Sequence, residues 1–167
     1  MNPILVVHGF LSTRSAMVPL AWQLRNAGRT VERARLSPLC IQDVRQLAIE
    51  VGRGVVELKE RTGASAVDVI GVSQGGLASL YYVRRLAGTE HVRRLVTLGT
   101  PYGGTWLAVA GLPFLGAFSA GVWQSMPDSD LVKELAAAGP SPGEDVVSIS
   151  RTGDPVATPR SCFLSGA

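Results

Sequence analysis

Val67-Asp68-Val69-Ile70-Gly71-Val72-Ser73-Gln74-Gly75-Gly76-Leu77 decides the fold. The first six residues are rich in β-branched side chains and read as a strand. Gly76 to Tyr82 continues with helical character. Between them stands a serine in the pattern G-x-S-x-G. A serine on a one-residue turn from strand to helix has its hydroxyl lifted above the sheet, where it can act as a nucleophile. Gly71 and Gly75 leave space where strand and helix backbones must come close. The pattern alone is weak in a chain with 19 glycines. The strand before it and the helix after it are what separate it from a glycine-rich turn holding an incidental serine.

Working outward, Ile4-Leu5-Val6-Val7 is a short continuous apolar run and reads as a strand buried on both faces. A helix follows from about Val18 to Ala27, with Pro19 in its first turn and Gly28 at its stop. Thr30 to Leu36 reads as a second strand. A long helix runs from about Ile41 to Arg61, although Gly52 and Gly54 interrupt it. Val67 to Val72 is the third strand and Gln74 to Leu86 the next helix. Arg94 to Leu98 is the fourth strand, Asp130 to Ala138 a helix capped by Asp128 or Ser129, and Asp145 to Ser150 the fifth strand. Strands alternating with helices imply βαβ units, so the expected class is α/β. It has a mostly parallel central sheet with helices on both faces. No repeat or linker divides the chain, and residues 1–167 read as a single domain.

Hydrophobic residues make up 46% and charged residues 17% of the chain, which argues against a disordered chain. The net charge is +3. The densest basic cluster, Arg84, Arg85, Arg93 and Arg94, reads as solvated surface, and no nucleic-acid partner is expected. Cys40 and Cys162 lack metal-ligand spacing, so no metal is expected. They are two separate thiols or one disulfide. No signal peptide is visible after Met1. Tyr102 to Met126 holds no charged residue and is long enough to cross a bilayer, but five glycines and Pro113 argue against a membrane helix.

Four spaced motifs together resemble the bacterial triacylglycerol lipases and esterases of the α/β-hydrolase superfamily. Ile4 to Phe10 resembles their V-x-V-H-G-x strand and turn. Gly71 to Leu77 resembles their G-H-S-Q-G-G-L elbow, with Val72 replacing a histidine. Leu98 to Thr105 resembles their L-G-T-P-H-x-G-T stretch, with Tyr102 replacing another. The strand leading to Gly153-Asp154-Pro155-Val156 also fits. The resemblance implies a minimal α/β-hydrolase fold, a serine esterase acting on carboxylic esters in lipid metabolism, and no cofactor. Members of the family are often secreted.

Ester hydrolysis needs a nucleophile, a base, a group that orients the base, and donors for the oxyanion. Ser73 is the candidate nucleophile. The N–H of Gln74, the next residue, is one candidate oxyanion donor, and the resemblance puts the other on Phe10. Asp154, just after the fifth strand, is the candidate acid, since this fold orders its triad serine, acid, histidine. Asp128, Asp130 and Asp145 are rivals in less suitable places. The chain has two histidines, His8 and His91. His91 should lie at the amino ends of the strands. His8 is a possible substitute base, although the resemblance makes it structural. The resemblance also expects a further strand and a histidine-bearing loop soon after Asp154, and no histidine stands between Asp154 and Ala167.

The apolar stretch at about 103–126 is either a small cap or lid that meets lipid, or packed core beneath a long connection. The expected partner is a small-molecule ester or lipid substrate, with interfacial lipid contact and self-association through an exposed sheet edge as further expectations. The rival to an esterase is a catalytically silent hydrolase-fold protein that binds an acyl ligand or another protein.

Overall fold

A computed structural model of the chain describes residues 1–106 and 119–164. Five strands form one sheet in the order β2-β1-β3-β4-β5: β1 Ile4–Val7, β2 Val31–Arg33, β3 Val67–Val72, β4 Val92–Leu98 and β5 Val146–Ile149. Every pairing is parallel. Parallel neighbours need crossovers. Among the described residues these contain α1 Val18–Asn26, α2 Val44–Thr62, α3 Gln74–Arg85, α4 Ala120–Gln124 and α5 Asp130–Ala138.

The side chains of β1 alternate between two cores, as a strand with period two requires. Ile4 and Val6 pack with Ala21 of α1 and Val31 on one face. Leu5 and Val7 pack on the other with Leu47, Val51, Val55, Leu77 and Leu80 from α2 and α3. Each fully buried leucine there contributes roughly 1.5–3 kcal/mol.

The helix α2 is unbroken across Gly52 and Gly54. Gly52 is explained by packing: an added Cβ would come within 2.6 Å of the Tyr82 ring of α3. The helix begins at Val44, later than its periodicity predicts, because Asp43 caps it by accepting from Arg45 N at 2.7 Å. Ser129 caps α5. The strand β2 lies within the expected Thr30 to Leu36 but is shorter, and α4, inside the uncharged stretch, was not legible from periodicity.

The register places Val7 beside Gly71, Val72 beside Leu98, and Leu98 beside Ile149. The carboxyl ends of four strands therefore lie in one row, the place where parallel sheets collect functional groups.

One surface expectation is corrected. Arg84 is buried, with its side chain and that of Glu144 each 2% exposed. The two pair at 2.7 Å, and Arg84 also donates to Leu135 O. A guanidinium can leave water only with its charge and donors met, and the sequence could not show which carboxylate would meet them. Cys40 and Cys162 are both free and buried. Among the described residues no helix is long and apolar enough to cross a membrane. Residues 107–118, half of the predicted cap, lie outside the described residues.

Candidate functional site

Ser73 joins β3 to α3 with φ +53° and ψ −125°. A non-glycine residue held there stores about 1–3 kcal/mol of strain. Neighbouring groups hold it in place. Its N–H donates to Leu98 O at 2.9 Å, and its carbonyl accepts from Gly76 N at 2.9 Å and Thr100 Oγ1 at 3.0 Å. The glycines act by lacking a Cβ. One on Gly71 would sit 2.6 Å from Gly76 Cα, and one on Gly75 would sit 2.5 Å from His8 O.

The turn after β1 presses onto this elbow. A Cβ on Gly9 would lie 2.7 Å from Val72 O, 3.0 Å from Ser73 Cβ and 3.2 Å from Gln74 N. Phe10, next in the chain, is half-buried. The backbone N–H groups of Phe10 and Gln74 have no acceptor among the described residues. Two unused donors thus belong to segments in contact beside the serine.

Asp154 follows β5. Its Oδ1 accepts from Val156 N at 2.8 Å and Ala157 N at 2.9 Å, and these bonds hold the carboxyl below its ordinary value. Its Oδ2 faces the turn after β4, 3.9 Å from where a Cβ of Gly99 would be. Ser73 and Asp154 therefore flank the same dipeptide, Leu98-Gly99.

His8 is buried at the end of β1. Its Nδ1 is 3.3 Å from Gly9 O and 3.4 Å from Cys40 Sγ, and no hydrogen bond links it to Ser73. Burial lowers its pKa, while Gly9 O and Glu50 partly oppose the shift. Burial also pushes the Cys40 thiol up to about 12. His91 lies at the amino end of the sheet, where its O accepts from Val67 N and its Nδ1 is 3.2 Å from Lys59 Nζ. The structure thus gathers Ser73, Gln74, Phe10, His8 and Asp154 around one edge and leaves His91 at the other.

Sequence reasoning missed three groups. Thr100 is fully buried on the elbow. The Gln74 carboxamide is buried with neither polar atom partnered among the described residues, and its Nε2 lies against Gly121 of α4. Cys40 packs on His8. The motif Leu98 to Thr105 held Thr100 without giving it a role, and the second glycine of Gly75-Gly76 was a further hint, since a Cβ there would collide with the Thr100 hydroxyl. A separate charged cleft of about 520 Å³ opens between β2 and α2, lined by Arg33, Arg35, Arg53, Glu57 and Arg61, and is not part of this edge. Among the described residues no group of three His, Cys, Asp or Glu could hold a metal.

The chain superposes on the mature form of the Bacillus licheniformis lipase BlEst2 with a TM-score of 0.79 over 99% of its own length, at 19% identity. The fold is the α/β-hydrolase fold. Aspergillus fumigatus lipase B shares it at a TM-score of 0.73 and 16% identity, again over 99% of this chain. The propeptide form of BlEst2 matches 81% of the chain at a TM-score of 0.68 and 23% identity. The chain spans 80% of the mature BlEst2 chain, 40% of the fungal lipase and 32% of the propeptide form. No protein-family model matches it. In the α/β-hydrolase fold, as in other parallel sheets, side chains at the carboxyl ends of the strands can converge on one reacting atom.

Proposed function

We propose that the chain cleaves carboxylic esters of lipids through an acyl-enzyme on Ser73. The observation that carries this reading is the strained serine at φ +53° with the unused N–H groups of Phe10 and Gln74 beside it. Ser73 Oγ bonds to the acyl carbon as its proton passes to a base. The two N–H groups receive the oxyanion, the alcohol leaves with a proton, and water then cleaves the acyl-enzyme. Asp154, ionised and free at Oδ2, orients the base. His8, engaged within its own turn, braces the Gly9-Phe10 segment. Phe10 and the exposed Trp106 and Trp123 offer apolar surface for an acyl chain or a lipid interface.

One observation favours a second reading, a catalytically silent acyl-ligand binder: no described residue hydrogen-bonds Ser73 Oγ. A fluorophosphonate probe and a p-nitrophenyl ester separate the two. The esterase reading expects labelling at Ser73, turnover lost in Ser73→Ala, and turnover reduced roughly 100-fold or more in Asp154→Asn. Folded protein that is never labelled supports the binder. Turnover that survives Ser73→Ala overturns the nucleophile. Turnover abolished by His8→Ala in folded protein makes His8 the base.

A further inference from the structure

We infer that Thr100 is a positioning residue whose hydroxyl sets the direction of the Gln74 N–H. The inference rests on the reading of Ser73 as nucleophile and adds a residue to that site. Its first support is the bond from Thr100 Oγ1 to Ser73 O at 3.0 Å. That carbonyl and the Gln74 N–H belong to one peptide unit. The unit is planar and trans, so its C=O and N–H point in opposite directions. Holding the oxygen on the Thr100 side turns the N–H away from it, and Gln74 N lies on the Gly9 side of the elbow.

The second support is independent. Gly76 carries no side chain where the Thr100 hydroxyl sits, and a Cβ there would collide with Oγ1 and come within 2.9 Å of Thr100 Cβ. The first turn of α3 is therefore shaped to admit this threonine. A third concerns how Thr100 reaches its place. Gly99 takes φ +57° directly after β4, while Leu98 O receives Ser73 N at 2.9 Å. Leu98 and Thr100 thus grip the two ends of Ser73 from one turn. The hydrogen bonds accepted by the carbonyl also polarise the peptide and strengthen its N–H as a donor.

The test compares Thr100→Val, which keeps the shape and removes the donor, with Thr100→Ser, which keeps the donor. On a short-chain p-nitrophenyl ester, Thr100→Val lowers kcat roughly tenfold to a hundredfold with KM changed less than about twofold, and Thr100→Ser restores most of it. In NMR spectra, Thr100→Val moves the Ser73 carbonyl carbon upfield and displaces the Gln74 amide proton, and Thr100→Ser does neither. If Thr100→Val does not fold, Thr100→Ala is read in the same way. Where wild-type turnover is too slow to measure, the Gln74 amide resonance decides alone. A kcat that stays within about twofold of wild type overturns the inference, as does an unmoved Gln74 amide resonance. Ser73→Ala is the separate control. Turnover that survives it defeats the nucleophile reading, whereas the NMR comparison still reports whether Thr100 sets the peptide.

Discussion

Ser73 sits where most L-residues are excluded, at φ +53°. Removing the hydroxyl leaves that strain in place, while removing the Cβ relieves it. Ser73→Gly is therefore expected to be more stable than Ser73→Ala by about 1 kcal/mol, the relief of strain exceeding the added entropy of a glycine in the unfolded chain. Urea denaturation of the two variants checks this, and equal midpoints and slopes would count against a strained elbow. Both variants should lose ester turnover alike. Gln74 poses a different question at this scale. Its buried carboxamide has no partner among the described residues, and an unmet amide costs roughly 1–3 kcal/mol. The side chain packs closely on Gly121.

At the scale of elements, α2 and α3 meet through the Tyr82 ring and Gly52. Alanine usually stabilises a helix over glycine by roughly 0.5–1 kcal/mol. At Gly52 the sign should reverse, because a Cβ would stand 2.6 Å from the Tyr82 ring. Overpacking of this kind costs about 1–3 kcal/mol. At Gly54 the nearest atom is the end of the Leu5 side chain at 3.3 Å, which can yield. Thermal melts should show Gly52→Ala lowering Tm and Gly54→Ala changing it much less. A higher Tm for Gly52→Ala would mean that the contact is not close. The two edge strands of the sheet also differ. Arg25 and Arg14 already occupy Val31 O and Arg33 O of β2. No described strand covers the outer side of β5, and Val147 and Ile149 are 40% and 50% exposed. We expect concentration-dependent self-association through β5, since a bare edge templates a further strand. Ile149→Lys should shift the protein toward monomer in sedimentation, and an unchanged distribution would remove β5 from the contact.

For the whole molecule, acid is the condition that tests the charge arrangement. The pKa of His8 is lowered by burial, so the unfolded chain takes up its proton first. Its contribution is complete above the ordinary value of 6.5 and is lost as pH falls through the lower folded value. Glu32 and Glu134 are also lowered, by Arg61 and Arg14 in one case and by Arg45 and Tyr81 in the other, each against burial. Their contributions are lost further down, below the ordinary 4.5. Melts from about pH 7.5 down to about pH 2.5 should therefore show stability falling in two stages, and His8→Asn should remove the upper one. An upper stage that persists in His8→Asn would assign it to another group.

Much of this was legible in the chain. The run Val67 to Val72, the glycines around Ser73 and the alternation of strands with helices announced a parallel sheet with a serine at a strand's end, because burial pattern and turn chemistry are local properties. Gln74 was a candidate because it follows Ser73 and Asp154 because it follows the fifth strand, whereas Phe10 came from the resemblance alone. Thr100, Cys40 and the Arg84–Glu144 pair could not be given their roles. Each acts on a group 27 to 60 residues away, and only the lateral register of the strands and the packing of α3 bring those groups together. Sequence by itself determined most of the segments that would be strand, turn and helix, α4 excepted. The tertiary structure decided what presses on Ser73, because close approach between distant segments depends on how the whole sheet and its helices pack.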